Sequence, residues 1–166
     1  MKFIEAFREV EKSEQYAAWR LRNPDCFFSY AFSMFEKKKE SKWDIGFYNP
    51  ETKGVTVFSF EDHGVIEHKE SETAGKGEVE KLDLSKVKLD ENDAIEKVKK
   101  LKDKKMKAAV ILKTVCILQS EKEKPIWNMT SITNDFHTWN IKIDAHSGDI
   151  IKDELVELFK FNKGNK

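Results

Sequence analysis

Residues Trp127 to Glu154, WNMTSITNDFHTWNIKIDAHSGDIIKDE, slide back by 84 positions onto Trp43 to Glu70, WDIGFYNPETKGVTVFSFEDHGVIEHKE, without a gap. Trp127 lands on Trp43, Gly148 on Gly64, Ile150 on Ile66 and Glu154 on Glu70. These identities are few, and the weight lies in the coincidence of element order and turn positions, which extends back to Cys26 on Val110. The chain therefore reads as one unit used twice. Each unit is a helix followed by four strands, with the helices matched Phe3-Ile4-Glu5 on Ala94-Ile95-Glu96. That second match has an offset of 91, which places seven extra residues between helix and first strand in the first unit.

Local patterning fills in the elements. Phe3, Ile4, Phe7, Val10, Ala17, Ala18 and Leu21 follow helical spacing and predict one amphipathic helix that ends at Asn23-Pro24. Cys26–Phe35, Trp43–Tyr48, Val55–Phe60 and Val65–His68 read as strands. Turns are expected at Glu36–Lys42, at Asn49–Gly54 with Gly54 supplying a positive φ, and at Glu61–Gly64. Ser71–Glu80 is polar, holds two glycines and has no periodicity, so it marks the boundary between the halves. In the second half Leu82–Leu89 alternates apolar and polar residues. Asp90 then caps a helix with the stripe Ala94, Ile95, Val98, Leu101. Strands follow at Val110–Gln119, Trp127–Thr133 and Thr138–Asp144, then a short extended piece at Ile150-Ile151, and Leu155–Phe161 suits a helix or a strand. The expected fold is α+β, two tandem helix-plus-antiparallel-sheet units at 1–70 and 82–166 joined by a linker at 71–81, their sheets meeting edge to edge or face to face.

Composition excludes several function classes. Thirty basic residues balance thirty acidic ones among 166, so no net field draws the chain to nucleic acid or to an anionic membrane. Met1 and Lys2 lead into FIEAFREVEKSEQ without an apolar core of signal-peptide length, and no run approaches a membrane span. The expectation is a soluble, cytoplasmic protein whose Lys/Glu-rich, Gln-poor composition suits a thermophile. Cys26 and Cys116 sit inside apolar runs and read as buried free thiols in a reducing compartment.

Laid out in order, Leu89-Asp90-Glu91-Asn92-Asp93-Ala94-Ile95-Glu96-Lys97-Val98, then Trp127, then Trp139-Asn140-Ile141-Lys142-Ile143-Asp144-Ala145-His146-Ser147-Gly148-Asp149-Ile150 resembles the PepSY domain. That family's outline is a helix opening on Ala-Ile, a strand bearing Trp, and a hairpin of the form hydrophobic-x-Val/Ile-Asp-Ala-x-Thr-Gly-x-Ile/Val, with Ser147 here in place of Thr. The match covers roughly residues 86–153, and the first half enters only through the repeat. The resemblance implies a cystatin-like unit with a helix packed across an antiparallel sheet, no catalysis of its own, and a role in inhibiting or restraining a partner.

The remaining chemistry candidates read as structural. His63 and His68 stand five residues apart along a strand, which sends them to opposite faces, and His137 and His146 flank the other hairpin; no metal-ligand spacing exists, and no metal or cofactor is expected. No serine or cysteine has a nucleophile's setting, Gly75 and Gly77 belong to the linker, and an enzyme is not expected. The seven lysines of Lys97–Lys107 read as a solvated helix face. Strand Val55–Phe60 carries apolar residues in both phases, Val55 and Val57 against Phe58 and Phe60, so both faces of the sheet are covered or one is left for a partner. The expected function is a non-catalytic binding or regulatory module that holds a protein partner with the sheet surface around Trp43, Phe58, Trp127 and Trp139, as monomer or homodimer. The alternative is a small molecule held in the concavity between helix and sheet.

Overall fold

The computed structural model describes residues 1–36, 42–61, 64–70 and 78–157. The expected turn at Glu36–Lys42, most of the linker, His63 and the chain after Glu157 therefore lie wholly or largely outside the described residues. Within them the order is α1 (Phe3–Lys12), α2 (Glu14–Arg22), β1 (Phe27–Glu36), β2 (Trp43–Tyr48), β3 (Val55–Glu61), β4 (Gly64–Glu70), a 3-10 turn (Leu84–Lys86), α3 (Glu91–Lys105), β5 (Ile111–Glu121), β6 (Lys124–Thr133), β7 (His137–Asp144) and β8 (Ile150–Glu157). The strands form a single antiparallel sheet in the order β4-β3-β2-β1-β5-β6-β7-β8. Two meanders thus join edge to edge through their first strands, and the helices cover one face.

The two meanders can be laid on one another strand for strand, with a register that the ungapped offset misses. The row Ala31, Ile45, Phe58 across β1, β2 and β3 has its counterpart in Cys116, Met129, Ile141 across β5, β6 and β7, and all six side chains are fully buried on the helix side. The offset is therefore 85 for β1 and β5, 84 for β2 and β6, and 83 for β3 and β7. One residue is lost at each hairpin turn. Because side chains alternate faces, the ungapped offset laid Phe58 on Lys142 and Trp139 on Val55, on the wrong faces. The helices correspond at 88 rather than 91: Ala6 with Ala94 and Val10 with Val98, all buried.

The first helix is two. Ser13 caps α2 by accepting from Tyr16 N–H at 3.1 Å, and its extended backbone (φ −72°, ψ 147°) breaks the helix. This turns the second segment, so that Trp19 is buried and Leu21, a member of the expected stripe, is almost wholly exposed. Trp19 donates to Thr56 Oγ1 at 3.2 Å and packs edge-on to Phe58 at 5.4 Å. Leu82–Leu89 is an irregular strap around the 3-10 turn rather than a strand, and it touches both halves. Leu82 N–H donates to Phe28 O, and the Lys88 and Leu89 N–H groups both donate to Ala145 O, each at 2.9 Å. In the Asn49–Gly54 turn the left-handed residue is Lys53 (φ 58°), not Gly54, and Asn49 Oδ1 accepts from the Glu51 and Thr52 N–H groups. Leu155 belongs to the edge strand β8, which settles its helix-or-strand ambiguity as far as Glu157.

Trp43 and Trp127 lie under the β1–β5 junction with ring centroids 6.2 Å apart, and Phe3 packs against both at 5.5 and 6.1 Å. Burying one such indole withdraws about 150–250 Å2 of mostly apolar surface, worth roughly 4–6 kcal/mol at ~25 cal/mol per Å2. Trp127→Ala is expected to cost about 3–5 kcal/mol, and because the ring touches elements of both halves, chemical denaturation should show one shifted cooperative transition. Two separated transitions would mean that the halves fold independently.

Candidate functional site

The four aromatics expected at a binding surface are core residues. Trp43, Phe58, Trp127 and Trp139 are each at most 1% exposed. The indole N–H of Trp43 donates to Met1 O at 3.3 Å, and that of Trp127 to Leu89 O at 2.9 Å. These are symmetric positions just before α1 and α3. Trp139 donates to Asp153 Oδ1 at 2.8 Å, and Phe58 is enclosed by Tyr16, Trp19 and Phe47. Their location corrects the expectation: no partner can touch them on the folded protein. They stand on the helix-covered face because Ile45, Met129 and their neighbours set the phase of each strand.

The two-faced reading of β3 holds. Phe58 faces the helices with Ile45, and the buried Val55 and Val57 point to the other face. That open face carries an apolar band along the junction, where Phe32 stands opposite Ile117 and Met34 opposite Val115. Beside it the Tyr30 ring lies over Gly46, where a Cβ would meet Tyr30 Cε1 at 2.3 Å. Gly46 therefore gives the ring its seat. Phe27 and Tyr48 pack at 5.4 Å at the end of the same band.

A second surface lies on the helix side. Between the last two turns of α3 and the start of β5 is a cleft of about 520 Å3 whose floor is Val98, Thr114 and Met129 and whose wall includes Ala109 and Leu112. Lys99, Lys102, Asp103 and Glu36 stand at its mouth. This volume falls within the range of small-molecule sites.

The titratable groups hold turns together. Among the described residues no three His, Cys, Asp or Glu side chains are grouped to hold a metal ion. His137 lies 3.2 Å from Asp135, and His146 Nδ1 is 2.9 Å from Lys86 O. Both cysteines are buried and unpaired, and desolvation pushes the Cys116 thiol far up, which leaves it inert as a nucleophile. The Asp144–Gly148 corner behaves as its sequence implies: Asp144 Oδ1 accepts from His146 and Ser147 N–H at 2.8 and 3.1 Å, and Gly148 takes a φ of 81°. Burial works to raise the Asp144 carboxyl, but those two N–H groups, with Lys124 and His146, hold it below the usual value.

Comparisons with known proteins agree with this geometry. Residues 88–154, from the strap through α3 into β8, match the sequence model of the PepSY family, "Peptidase propeptide and YPEB domain". The second unit is thus PepSY-like. A crystal structure of a "putative lipoprotein" from Clostridium difficile 630 is similar to the chain with a TM-score of 0.58 and 11% identity, over 94% of this chain and 93% of that one. At that identity the likeness is one of fold, and it spans both units. No curated protein matches the chain in sequence. Among the described residues no helix is long and apolar enough to cross a membrane.

The lowered Asp144 pKa has a definite sign. A carboxylate held below its unfolded value stabilises the fold above the ordinary carboxylate range, and that stability is lost as pH falls through the folded value. Asp144→Ala is expected to cost about 1–3 kcal/mol at pH 7 and clearly less at the acid end of the range. Urea titrations of both proteins at neutral and low pH check this; an equal loss at both would remove the carboxylate's role.

Proposed function

We propose that this protein is a non-catalytic binding or regulatory module that holds a protein partner against the open face of its sheet. The observation that carries this reading is the one-sided covering of the sheet. Helices and strap lie on one face, while the central strands present Phe32, Met34, Val115 and Ile117 on the other. Contiguous apolar surface of that kind on a rigid scaffold marks interaction sites, and aromatic residues near its middle are the usual anchors of such contacts. The PepSY likeness of residues 88–154 supports it in kind, since a propeptide acts by lying against another protein. The candidate surface is moved from the four buried aromatics to residues of β1 and β5 on the opposite face of the same sheet.

The alternative, a small molecule in the helix–sheet concavity, meets a space largely filled by side chains, with Trp43, Trp127, Trp139, Phe58 and Trp19 all buried there. The cleft beside α3 remains open.

The test is affinity capture from the native source with tagged wild-type protein and with a Phe32→Ser, Met34→Asp double variant shown by near-ultraviolet circular dichroism to stay folded. A protein retained by wild type, identified by mass spectrometry, purified and then bound at least tenfold more weakly by the variant is the expected result. Equal binding of that purified protein by both removes the open face from the interaction.

A further inference from the structure

Thr114 of β5 and Ser131 of β6 stand opposite one another on the helix side of the sheet, with their hydroxyl oxygens 2.9 Å apart. Both side chains are buried, Thr114 at 8% and Ser131 at 0% exposure. A hydroxyl carries one proton and two lone pairs, and the contact between the oxygens uses only one of the two protons. Among the described residues no other acceptor bonds either hydroxyl. One donor is therefore left over where an unmade hydrogen bond is costly. The first half has no such surplus. Ser29 stands two residues before Ala31 as Thr114 stands two before Cys116, and its hydroxyl donates to Gly46 O at 3.1 Å.

Of the pair, Thr114 lines the cleft of about 520 Å3 beside α3. The walls around it are apolar: Ile95 and Val98 from the helix, Ala109 and Leu112 from the approach to β5, and Met129 from β6. At the mouth the charges cancel. Glu36 and Asp103 stand there with Lys99 and Lys102, and each has a partner. Lys99 pairs with Glu96 at 2.8 Å, Lys102 with Asp103 at 3.3 Å, and Glu36 with Lys113 at 3.6 Å. Neither sign of charge on a ligand is thus rewarded. An apolar cleft of this volume with one converging polar group has the make-up of a small-molecule site.

We propose that this cleft binds a neutral, mainly hydrocarbon molecule that carries one acceptor oxygen, such as a ketone or an ester. Ser131 donates to Thr114 and Thr114 donates to the ligand's oxygen, so that both buried protons are used. The hydrocarbon part lies on Val98 and Met129. A carboxylate in the same place would leave water without gaining an unpaired cation, at a cost that a neutral oxygen avoids. The site is on the helix side, away from the band of Phe32 and Met34, and it does not depend on how that face is used.

The test is a nuclear magnetic resonance titration of the intact protein, isotopically labelled at its methionine methyl groups, with a nine-carbon methyl ketone and with nonanoate. Met129 reports the floor of the cleft and Met34 the open face, each assigned from its leucine variant. The ketone is expected to shift Met129 saturably and to leave Met34 in place. Binding should be at least tenfold weaker in Ala109→Phe, which fills the cleft; where circular dichroism shows that variant misfolded, Leu112→Trp takes its place, at a wall position that is 51% exposed. Thr114→Val should bind roughly three- to tenfold more weakly, while Thr114→Ser, which keeps the hydroxyl, binds like wild type. A Met129 signal that the ketone does not move overturns the proposal, as does equal binding by Thr114→Val. So does tighter, salt-sensitive binding of nonanoate, which would assign a charged ligand. A shift of Met34 alone would place the ketone on the open face, and a Met129 shift seen only after residues 158–166 are deleted would assign the cleft to this chain's own segment; either overturns it too.

Discussion

The contact between Trp43 and Trp127 beneath the β1–β5 junction is the constraint on which the rest of the arrangement depends. Each indole is at an equivalent place in its own half, and each donates its N–H to the backbone just before its own helix. A single ring pair thereby ties together the two meanders of the sheet, the position of both helix N-termini and the approach of one helix to the other. Phe3 wedges between the two indoles. Its N–H donates to the buried Glu91 at 3.1 Å, and Lys2 pairs with Asp90 at 3.0 Å. An eight-stranded sheet built from two meanders could slip at its central seam; a shared aromatic cluster on one face prevents that, because a one-residue slip would put the two indoles on opposite faces.

Around this centre the halves differ in which element supplies the bulk. Trp139 of β7 corresponds to Thr56 of β3, and the space that the smaller residue leaves is filled from above by Trp19 of α2, hydrogen bonded to that threonine. This explains why the first half has a broken helix and the second a straight one: only a chain redirected at Ser13 brings Tyr16 and Trp19 down on Phe47 and Phe58. The same asymmetry closes the first half with the strap and leaves a cleft beside α3. Differences between the halves, rather than their likeness, therefore shape the helix-side surface.

The open face follows from the same economy. A single sheet with helices on one side must expose its other side, and here the most central strands keep apolar residues there: Phe32, Met34, Val115 and Ile117. The edges are handled differently. Along its exposed length β8 places Lys152, Asp153, Glu154 and Glu157 among Ile150, Ile151, Leu155 and Val156, and charge so interleaved discourages pairing at an edge. The middle of the open face thus keeps an apolar band that the edge strand β8 lacks.

Sequence alone determined the α+β class, most of the element types, the Asp144–Gly148 corner and the likeness of the second half to PepSY domains, because these rest on local periodicity and turn chemistry. It also marked β3 as apolar on both faces. It could not assign those faces. With a side-chain period of two, a hairpin shorter by a single residue reverses the phase of a strand while leaving an ungapped alignment intact, and Trp139 and Phe58 were misaligned for that reason. Nor does a local pattern distinguish an aromatic that packs under a helix from one that faces solvent. Which face of each strand the helices cover, where α1 gives way to α2, and what remains open beside α3 were decided only when the two halves closed on the Trp43–Trp127 pair, since burial is a property of the assembled layers and not of the strand.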